Sequence, residues 1–577
     1  MHLLSLILLL PLFASLVVLF LPDYQRKTFK YIALCVAVLE LLFSLKLYTL
    51  IDFTTAKLQL IEQYQWMNLG LGSFGTLSIK YLLGVDGLNF SMILLAALVL
   101  LIGTIASWNM TEKSKGYFAL YLLLSSSVYG CFLALDFFLF FLFFEFMLLP
   151  MYFLIGIWGG ARREYASIKF FLYTLFGSVF VLIVMILLGI STIDPVQTAL
   201  NLGLISDVHL IDEQVITKVQ SLIAHPQFSF ENKHLLVYTM DTRYMFDIKN
   251  VVPGSVLSTF NTFTLFDLHP RLIAFAALMI GFLVKLPAVP VHTWLPDAHV
   301  EAPTPISVVL AGILLKIGGY GIFRFAYGIF PEGAVYFAMP LAIIGVVSII
   351  YGAFNALAMK DLKKMIAYSS VSHMGFVLLG LASLTAEGVN GAMYQQFSHG
   401  IISAMLFVIV GVLYDRTHNR NIDDYRGLAS KMPQYTTFTV IAFFASLGLP
   451  GFSGFIAEIF VFLGAFNSHT VNGLLPHWIG LVATLGVLLG ATYYLWSLQK
   501  MYFGKYWLKG GAEWNEALTD LNNRELYMLV PLALITIALG VLPHLYFDTT
   551  AVFTIDFVKA TLLNAKINLH SFHQILR

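Results

Sequence analysis

The sequence predicts an all-α polytopic membrane protein, and three observations carry that prediction. Of 577 residues, 59% are hydrophobic and 11% charged, with a mean hydropathy of +0.82. Soluble domains hold roughly 45–50% apolar and about 25% charged residues, so a large soluble enzyme is excluded. Polar breaks divide the apolar sequence into about fourteen runs near the length of about 20 residues that crosses a bilayer. Lys and Arg concentrate in alternate loops, which orients the spans.

The first run, from Met1 to about Leu21, has no positive leading segment and no small-residue cleavage site, so it is expected to stay as a span. One set of loops carries Arg26, Lys27 and Lys30, then Lys113 and Lys115, then Arg162, Arg163 and Lys169. The same side continues with Lys360, Lys363 and Lys364, then Arg416, Arg420, Arg426 and Lys431, then Lys500, Lys505, Lys509 and Arg524. The short loops around Pro331, Glu387 and His469 have no Lys or Arg. The basic loops are therefore expected on the cytoplasmic or matrix side, with both termini outside.

This divides the chain into residues 1–116 with three spans, 117–327 with spans four to eight, 328–504 with spans nine to thirteen, and 505–577 with a basic loop, the fourteenth span and an outer tail. Residues 193–269, from Ile193 to His269, break the rhythm with mixed charges such as Asp207, Asp212, Lys233 and Arg243. They are expected to be an extramembrane insert on the outer face, with a hairpin or small strand pair in KHLLVYTMDTRYMFDIKN. A spacer or partner contact is the plainest role for it.

The charge balance of 33 Lys+Arg against 32 Asp+Glu leaves no basic surface for nucleic acid, and membrane lipid is the expected surrounding. Cys35 and Cys131 both lie in apolar runs, so no disulfide framework or CxxC metal site is available. No GxxxxGK[ST] loop or GxGxxG turn between strand and helix is present, so the chain is expected to bind no nucleotide or redox cofactor.

A charge at the bilayer centre costs about 2.5–3.5 kcal/mol even on a lenient scale. Four demand a reason: Glu145 in FFLFFLFFEFMLLPMYFLIG, Lys285 in GFLVKLPAVP, Lys316 in VVLAGILLKIGGYGIF and Glu458 in GFIAEIFVF. Each could be a structural ion pair or a snorkelling side chain, but one pair explains only two of the four. Burial disfavours a charged form and a nearby opposite charge favours it. A buried lysine whose acidic partner approaches or withdraws can therefore hold or release a proton, which arginine cannot do.

Helix breakers adjoin two of these charges: Pro287 and Pro290 follow Lys285, and Gly448, Pro450, Gly451 and Gly454 precede Glu458. Irregular backbone at membrane depth is tolerated where it is buried or lines a watery cavity. If spans four to eight and nine to thirteen form two five-helix units, both charges fall on the fourth helix of their unit, and the odd count inverts the second unit.

His373, in YSSVSHMG, and His399, in GAMYQQFSHGIISAMLF, join the candidates. Gln396, His399 and Ser403 form one polar stripe able to hold water between Lys316 and Glu458, although helix-packing hydrogen bonds explain either histidine equally well. In HTWLPDAHVEAPTP, His292, Asp297, His299 and Glu301 suit loop capping or a proton entrance, and their spacing fits no standard metal site. Arg324, Glu40, Lys46 and Asp136 are placed near span ends, where snorkelling is the default, and Asp86 is ambiguous.

The stretches GFLVKLPAVPVHTWLPDAHVEAPTPISVVLAGILLKIGGYG, KDLKKMIAYSSVSHMGFV and LPGFSGFIAEIF closely resemble the antiporter-like subunits of respiratory complex I. The chain looks most like subunit M of bacterial NADH:quinone oxidoreductase, the counterpart of mitochondrial NADH dehydrogenase subunit four. That resemblance implies fourteen core helices, two inverted five-helix repeats (helices 4–8 and 9–13) and broken seventh and twelfth helices. It implies a multi-pass protein of the bacterial inner membrane, with both termini periplasmic. It also implies a proton pathway driven by quinone reduction elsewhere, with NADH, FMN, iron–sulfur clusters and quinone held by partner subunits. Subunits L and N are the neighbours it implies.

By position, Glu145 is the fifth-helix glutamate that pairs with Lys285, Lys316 the eighth-helix connecting lysine, and Glu458 the twelfth-helix residue facing the exit. Subunits L and N and the related antiporters usually carry lysine at that last position, so glutamate favours subunit M. The insert is longer than the family usually has. The route this implies runs from the cytoplasmic side towards Lys285, through Lys316, His373 and His399, and out past Glu458. The alternatives are a subunit of a cation/proton antiporter or membrane-bound hydrogenase, and a scaffold whose buried charges only hold helices together.

Overall fold

Runs of leucine, isoleucine and phenylalanine close their own backbone hydrogen bonds as helices, the form that hydrocarbon surroundings require. The computed structural model describes residues 2–206, 213–259, 261, 263–265 and 267–575, so Asp207 and Asp212 lie outside the described residues. Among the described residues, thirteen helices are long and apolar enough to cross a membrane. The expected seventh span is not among them because it is interrupted into pieces of 16 and 8 residues.

In chain order the helices are α1 (Leu3–Phe20), α2 (Arg26–Leu50), α3 (Asn89–Asn109), α4 (Ser114–Leu133), α5 (Phe137–Trp158) and α6 (Arg163–Gly189). The interrupted span is α7 (Pro270–Lys285) with α8 (Trp294–Glu301). Then come α9 (Thr304–Tyr327), α10 (Ala338–Ala358), α11 (Leu362–Ser383) and α12 (Ala386–Thr417). A second interruption separates α13 (Pro433–Ser446) from α14 (Ser453–Val471), and α15 (His477–Tyr502) and α16 (Asn523–Val541) follow. The tail is a 32-residue helix, α17 (His544–Ile575).

Both interruptions fall where the prolines and glycines predict them. Trp294 Nε1 caps one freed carbonyl in the first, donating to Val284 O at 2.8 Å. Helices α9, α11 and α12 form the buried centre, whereas α1, α2 and α6 turn Phe13, Leu42 and Phe176 outward as an exposed apolar rim.

The insert differs from its expected form. A hairpin between α2 and α3, β1 (Gln59–Gly70) with β2 (Thr76–Val85), was not anticipated, and the insert supplies one short strand to it. That strand, β3 (Val237–Thr239), runs parallel to β2 with Thr76 opposite Val237. Local alternation in the insert thus reported a strand correctly, but its partner lies far upstream in sequence.

A buried charge cluster pins this sheet to the insert. Lys80 Nζ lies 2.6 Å from Asp194 Oδ2 and 3.2 Å from Asp241 Oδ2, while Arg243 grips Asp241 at 2.6 Å. Burial alone raises the Asp241 pKa, but the Arg243 guanidinium and the Lys80 amine outweigh it and hold the carboxyl below its usual range. Removing one partner of such a group strands the others without compensation. Lys80→Met is therefore expected to loosen the insert by about 3–5 kcal/mol. Amide exchange across residues 194–250 should rise, with that of α11 and α12 unchanged.

Three of the four charges placed at span ends are buried instead. Asp136 caps α5, accepting from Phe138 N and Leu139 N, and also receives Lys80 N at 3.0 Å. Arg324 forms two bonds to Asp86, at 2.7 and 2.8 Å, which settles the role of both. Glu40 lies in mid-helix because α2 runs unbroken to Leu50, and it is 1% exposed. Only Lys46 is exposed, as snorkelling requires.

Candidate functional site

The interruption after α7 places Lys285 at a helix end inside the bundle, buried at 5% exposure. Its amine donates to the Phe144 carbonyl at 2.6 Å and stands 3.2 Å from the centre of the Phe144 ring. Glu145, the next residue, is half-buried and within electrostatic reach of Lys285, yet no ion pair joins them. The Glu145 Oε1 atom is buried without a hydrogen-bond partner. The lysine is thus held by neutral groups, with the neighbouring Glu145 not bonded to it.

Lys316 lies on the wholly buried α9, between two π-helical turns at Leu310–Leu314 and Ile322–Tyr327. Such turns recur at functional sites because they loosen the regular hydrogen-bond ladder. Its amine donates to Ala311 O at 2.5 Å and lies 2.8 Å from His399 Nδ1. The His399 and His373 rings are 5.4 Å apart between centroids, and His373 Nδ1 is 3.8 Å from Glu458 Oε1. Four candidates therefore form one consecutive series, Lys316, His399, His373 and Glu458. Lys285 makes no hydrogen bond to that series among the described residues.

The stripe on α12 is partly used. His399 faces Lys316 and Gln396 keeps an unbonded Oε1, while Ser403 turns back to Gly400 O at 3.3 Å. Gln395, which the spacing did not single out, takes part instead through Nε2, 3.2 Å from His373 Nδ1. A hydroxyl branch also leaves His373: Nε2 is 3.1 Å from Ser446 Oγ, which donates to Tyr494 Oη at 2.6 Å, and that hydroxyl donates to Ser369 Oγ at 3.0 Å. Ser446 ends α13, so the second interruption is what delivers it. Gly448, at φ +75°, leaves the space that Glu458 fills, since a Cβ there would lie 2.5 Å from Oε2.

The two entrance candidates differ. His292 packs edge-on against Tyr351 with centroids 5.2 Å apart. His299 is fully buried, stacked on Phe407 at 4.4 Å, with neither ring nitrogen hydrogen-bonded. It lies within electrostatic reach of both Lys316 and Lys363. Asp297 pairs with Lys169 of α6 at 2.7 Å, and Glu301 clasps the α5–α6 turn by accepting from Arg162 N at 2.9 Å.

Lys363, grouped by sequence with the loop lysines, is buried, its amine 2.6 Å from Ala302 O. It lines a cavity of about 630 Å3 on the face of the basic loops, with Glu301, Asp415, His418 and Arg420. Among the described residues no group of three or more His, Cys, Asp or Glu could hold a metal ion.

The family model described as NADH:quinone oxidoreductase/Mrp antiporter, TM, matches residues 134–193 and 233–486. The gap between the two stretches falls in the insert. NADH-quinone oxidoreductase subunit M of Rhodobacter capsulatus is 37% identical over 95% of this chain and 94% of its own. NAD(P)H-quinone oxidoreductase chain 4 2 of Thermosynechococcus vestitus is also 37% identical, over 96% of this chain and 91% of its own. A chain of respiratory complex I from Thermus thermophilus with bound NADH superposes with a TM-score of 0.72 at 26% identity, covering 97% of this chain and all of the other. A chain of the Mrp complex from Dietzia sp. DQ12-45-1b, at 18% identity and a TM-score of 0.73, shares the fold. On these matches the chain belongs to the NADH:quinone oxidoreductase/Mrp antiporter transmembrane family, in its subunit M and chain 4 branch.

Proposed function

We propose that the chain is a proton-translocating membrane subunit of a NADH:quinone oxidoreductase, with quinone reduction in partner subunits as the driving reaction. The carrying observation is the series Lys316, His399, His373 and Glu458, consecutive neighbours in the buried centre of the bundle. A scaffold would pair its buried cations with carboxylates, whereas Lys285 and Lys316 rest on carbonyls and an imidazole.

In this reading the basic-loop face is the inner side, both termini are outside, and spans four to eight and nine to thirteen are two inverted units. Protons are taken up from the 630 Å3 cavity past Lys363 and His299, pass to Lys316, and travel by His399 and His373 to Glu458. His292, on the segment between α7 and α8, is a second uptake point. Approach of Glu145 to Lys285 changes the field on Lys316 and gates the transfer. Subunits corresponding to L and N flank the chain, and NADH, FMN, iron–sulfur clusters and quinone belong to partner subunits.

The test uses the purified complex in liposomes with NADH-driven proton uptake as readout. Glu458→Gln and Glu145→Gln keep shape and remove titration, and each is expected to lower uptake about a hundredfold at the step it serves. Normal uptake in both variants would remove the relay. A complex lacking NADH- and quinone-reactive partner subunits would instead favour a cation/proton antiporter or hydrogenase assembly.

A further inference from the structure

A second cavity, of about 780 Å3, opens where α6 ends and the insert begins, remote from the relay. Its walls come from three places: Ile190 and Ser191 just past α6, Phe74 at the tip of the β1–β2 hairpin, and Phe230, Lys233, Ser255 and Val256 from the insert. Phe230 falls in the stretch of the insert that the family model does not match.

The polar groups here have chemistry left to use. Ser191 is 1% exposed and its main chain is satisfied, N–H to Leu188 O and carbonyl from Val252 N. Its hydroxyl nevertheless has no partner, and the buried Ser255 hydroxyl has none either. Lying past the helix end, Ser191 lacks the regular preceding turn to which a helical serine bonds back. Lys233 holds its amine 4.7 Å from the Phe230 ring centre and 5.4 Å from that of Phe74, and forms no ion pair among the described residues. Among the described residues no Asp or Glu lines the cavity. One cation, two free hydroxyls and no carboxylate select an anion.

The rest of the lining selects an anion with an apolar tail. Ile190, Phe230 and Val256 are 45%, 72% and 44% exposed, and Ile190 directly follows a membrane span. The mouth therefore opens where hydrocarbon gives way to headgroups. The volume suits a headgroup and the upper part of a chain, whereas a partner helix is about 10–12 Å across.

We propose that this cavity binds one anionic phospholipid, its phosphate on Lys233 and the Ser191 and Ser255 hydroxyls and its acyl chain over Ile190, Phe230 and Val256. The lipid bridges the insert to α6 and the hairpin, so a segment outside the membrane is tied to the bilayer it borders.

The complex is placed in phosphatidylcholine nanodiscs carrying a trace of photoreactive phosphatidylglycerol, illuminated, and its labelled peptides sequenced. Label is expected in residues 186–191 and 228–256, and Lys233→Glu should reduce it about fivefold or more, with Lys233→Arg keeping it. Ser191→Ala should weaken labelling without altering NADH oxidation, which guards against a folding artefact in the lysine variant. Equal labelling of wild type and Lys233→Glu would overturn the proposal. So would equal labelling by photoreactive phosphatidylcholine, which means bulk lipid contact, or complete competition by inorganic phosphate, which means a free-anion site.

Discussion

Exchanging Lys285 for arginine is expected to stop proton translocation as completely as exchanging it for methionine. The Lys285 amine rests on the Phe144 carbonyl and over the Phe144 ring, and both contacts accept a guanidinium as readily as an ammonium. If the residue only held α7 against α5, arginine would preserve the cation and its contacts and most of the activity. A relay needs a group that gives up its proton, and arginine keeps its own at any physiological pH. Proton uptake driven by NADH oxidation in liposomes is expected to fall about a hundredfold in both variants, the scale of a lost proton-transfer group. Co-purification of the partner subunits and the amide exchange of α7 should be unchanged in the methionine variant. Arginine restoring even half of the wild-type rate would return Lys285 to the scaffold.

The residues that sequence exposed most clearly are those that break a strong local rule. Lys285, Lys316 and Glu458 interrupt apolar runs where a charge is costly, and nearby prolines and glycines marked both interruptions. Lys363 stayed hidden because it begins its span beside Lys360 and Lys364, where a lysine looks like a loop charge, and only packing against Ala302 reveals its burial. Glu40 was misplaced because Lys46, six residues on, made the run look finished, whereas α2 continues to Leu50.

Partners far apart in sequence were illegible for a deeper reason. Asp86 with Arg324, Lys80 with Asp194 and β2 with β3 are tertiary facts, and periodicity reports only the face a residue occupies. The lack of an ion pair between Glu145 and Lys285 is of the same kind. Residue types nominated the pair, but only the side-chain arrangement shows Lys285 bonded to a carbonyl beside it.

Gly318→Ala is expected to be among the most damaging additions of a single methyl group in the buried centre. Gly318 lies two residues from Lys316 on α9, and the end of α7 packs directly on it. A Cβ there would meet Leu286 N at 2.5 Å, Lys285 C at 2.9 Å and Phe282 O at 2.9 Å, all of them backbone. No rotamer change relieves such contacts, so the interrupted helix must move. Overpacking of this kind costs about 1–3 kcal/mol where side chains give way, and the immobile backbone puts this site at the upper end or beyond. The shift also acts on the two lysines at once, because the methyl group pushes on the peptide that carries Lys285. A misplacement of about 1 Å in a reacting group can cost about a hundredfold in rate, so uptake should collapse even in the fraction that assembles. Gly490→Ala on α15 is the matched control: its Cβ would meet only Tyr493 Oη, at 3.9 Å, and uptake and thermal stability should stay at wild-type values. If Gly318→Ala pumps normally, α7 and α9 are not held in the close register that the coupling of Lys285 to Lys316 requires.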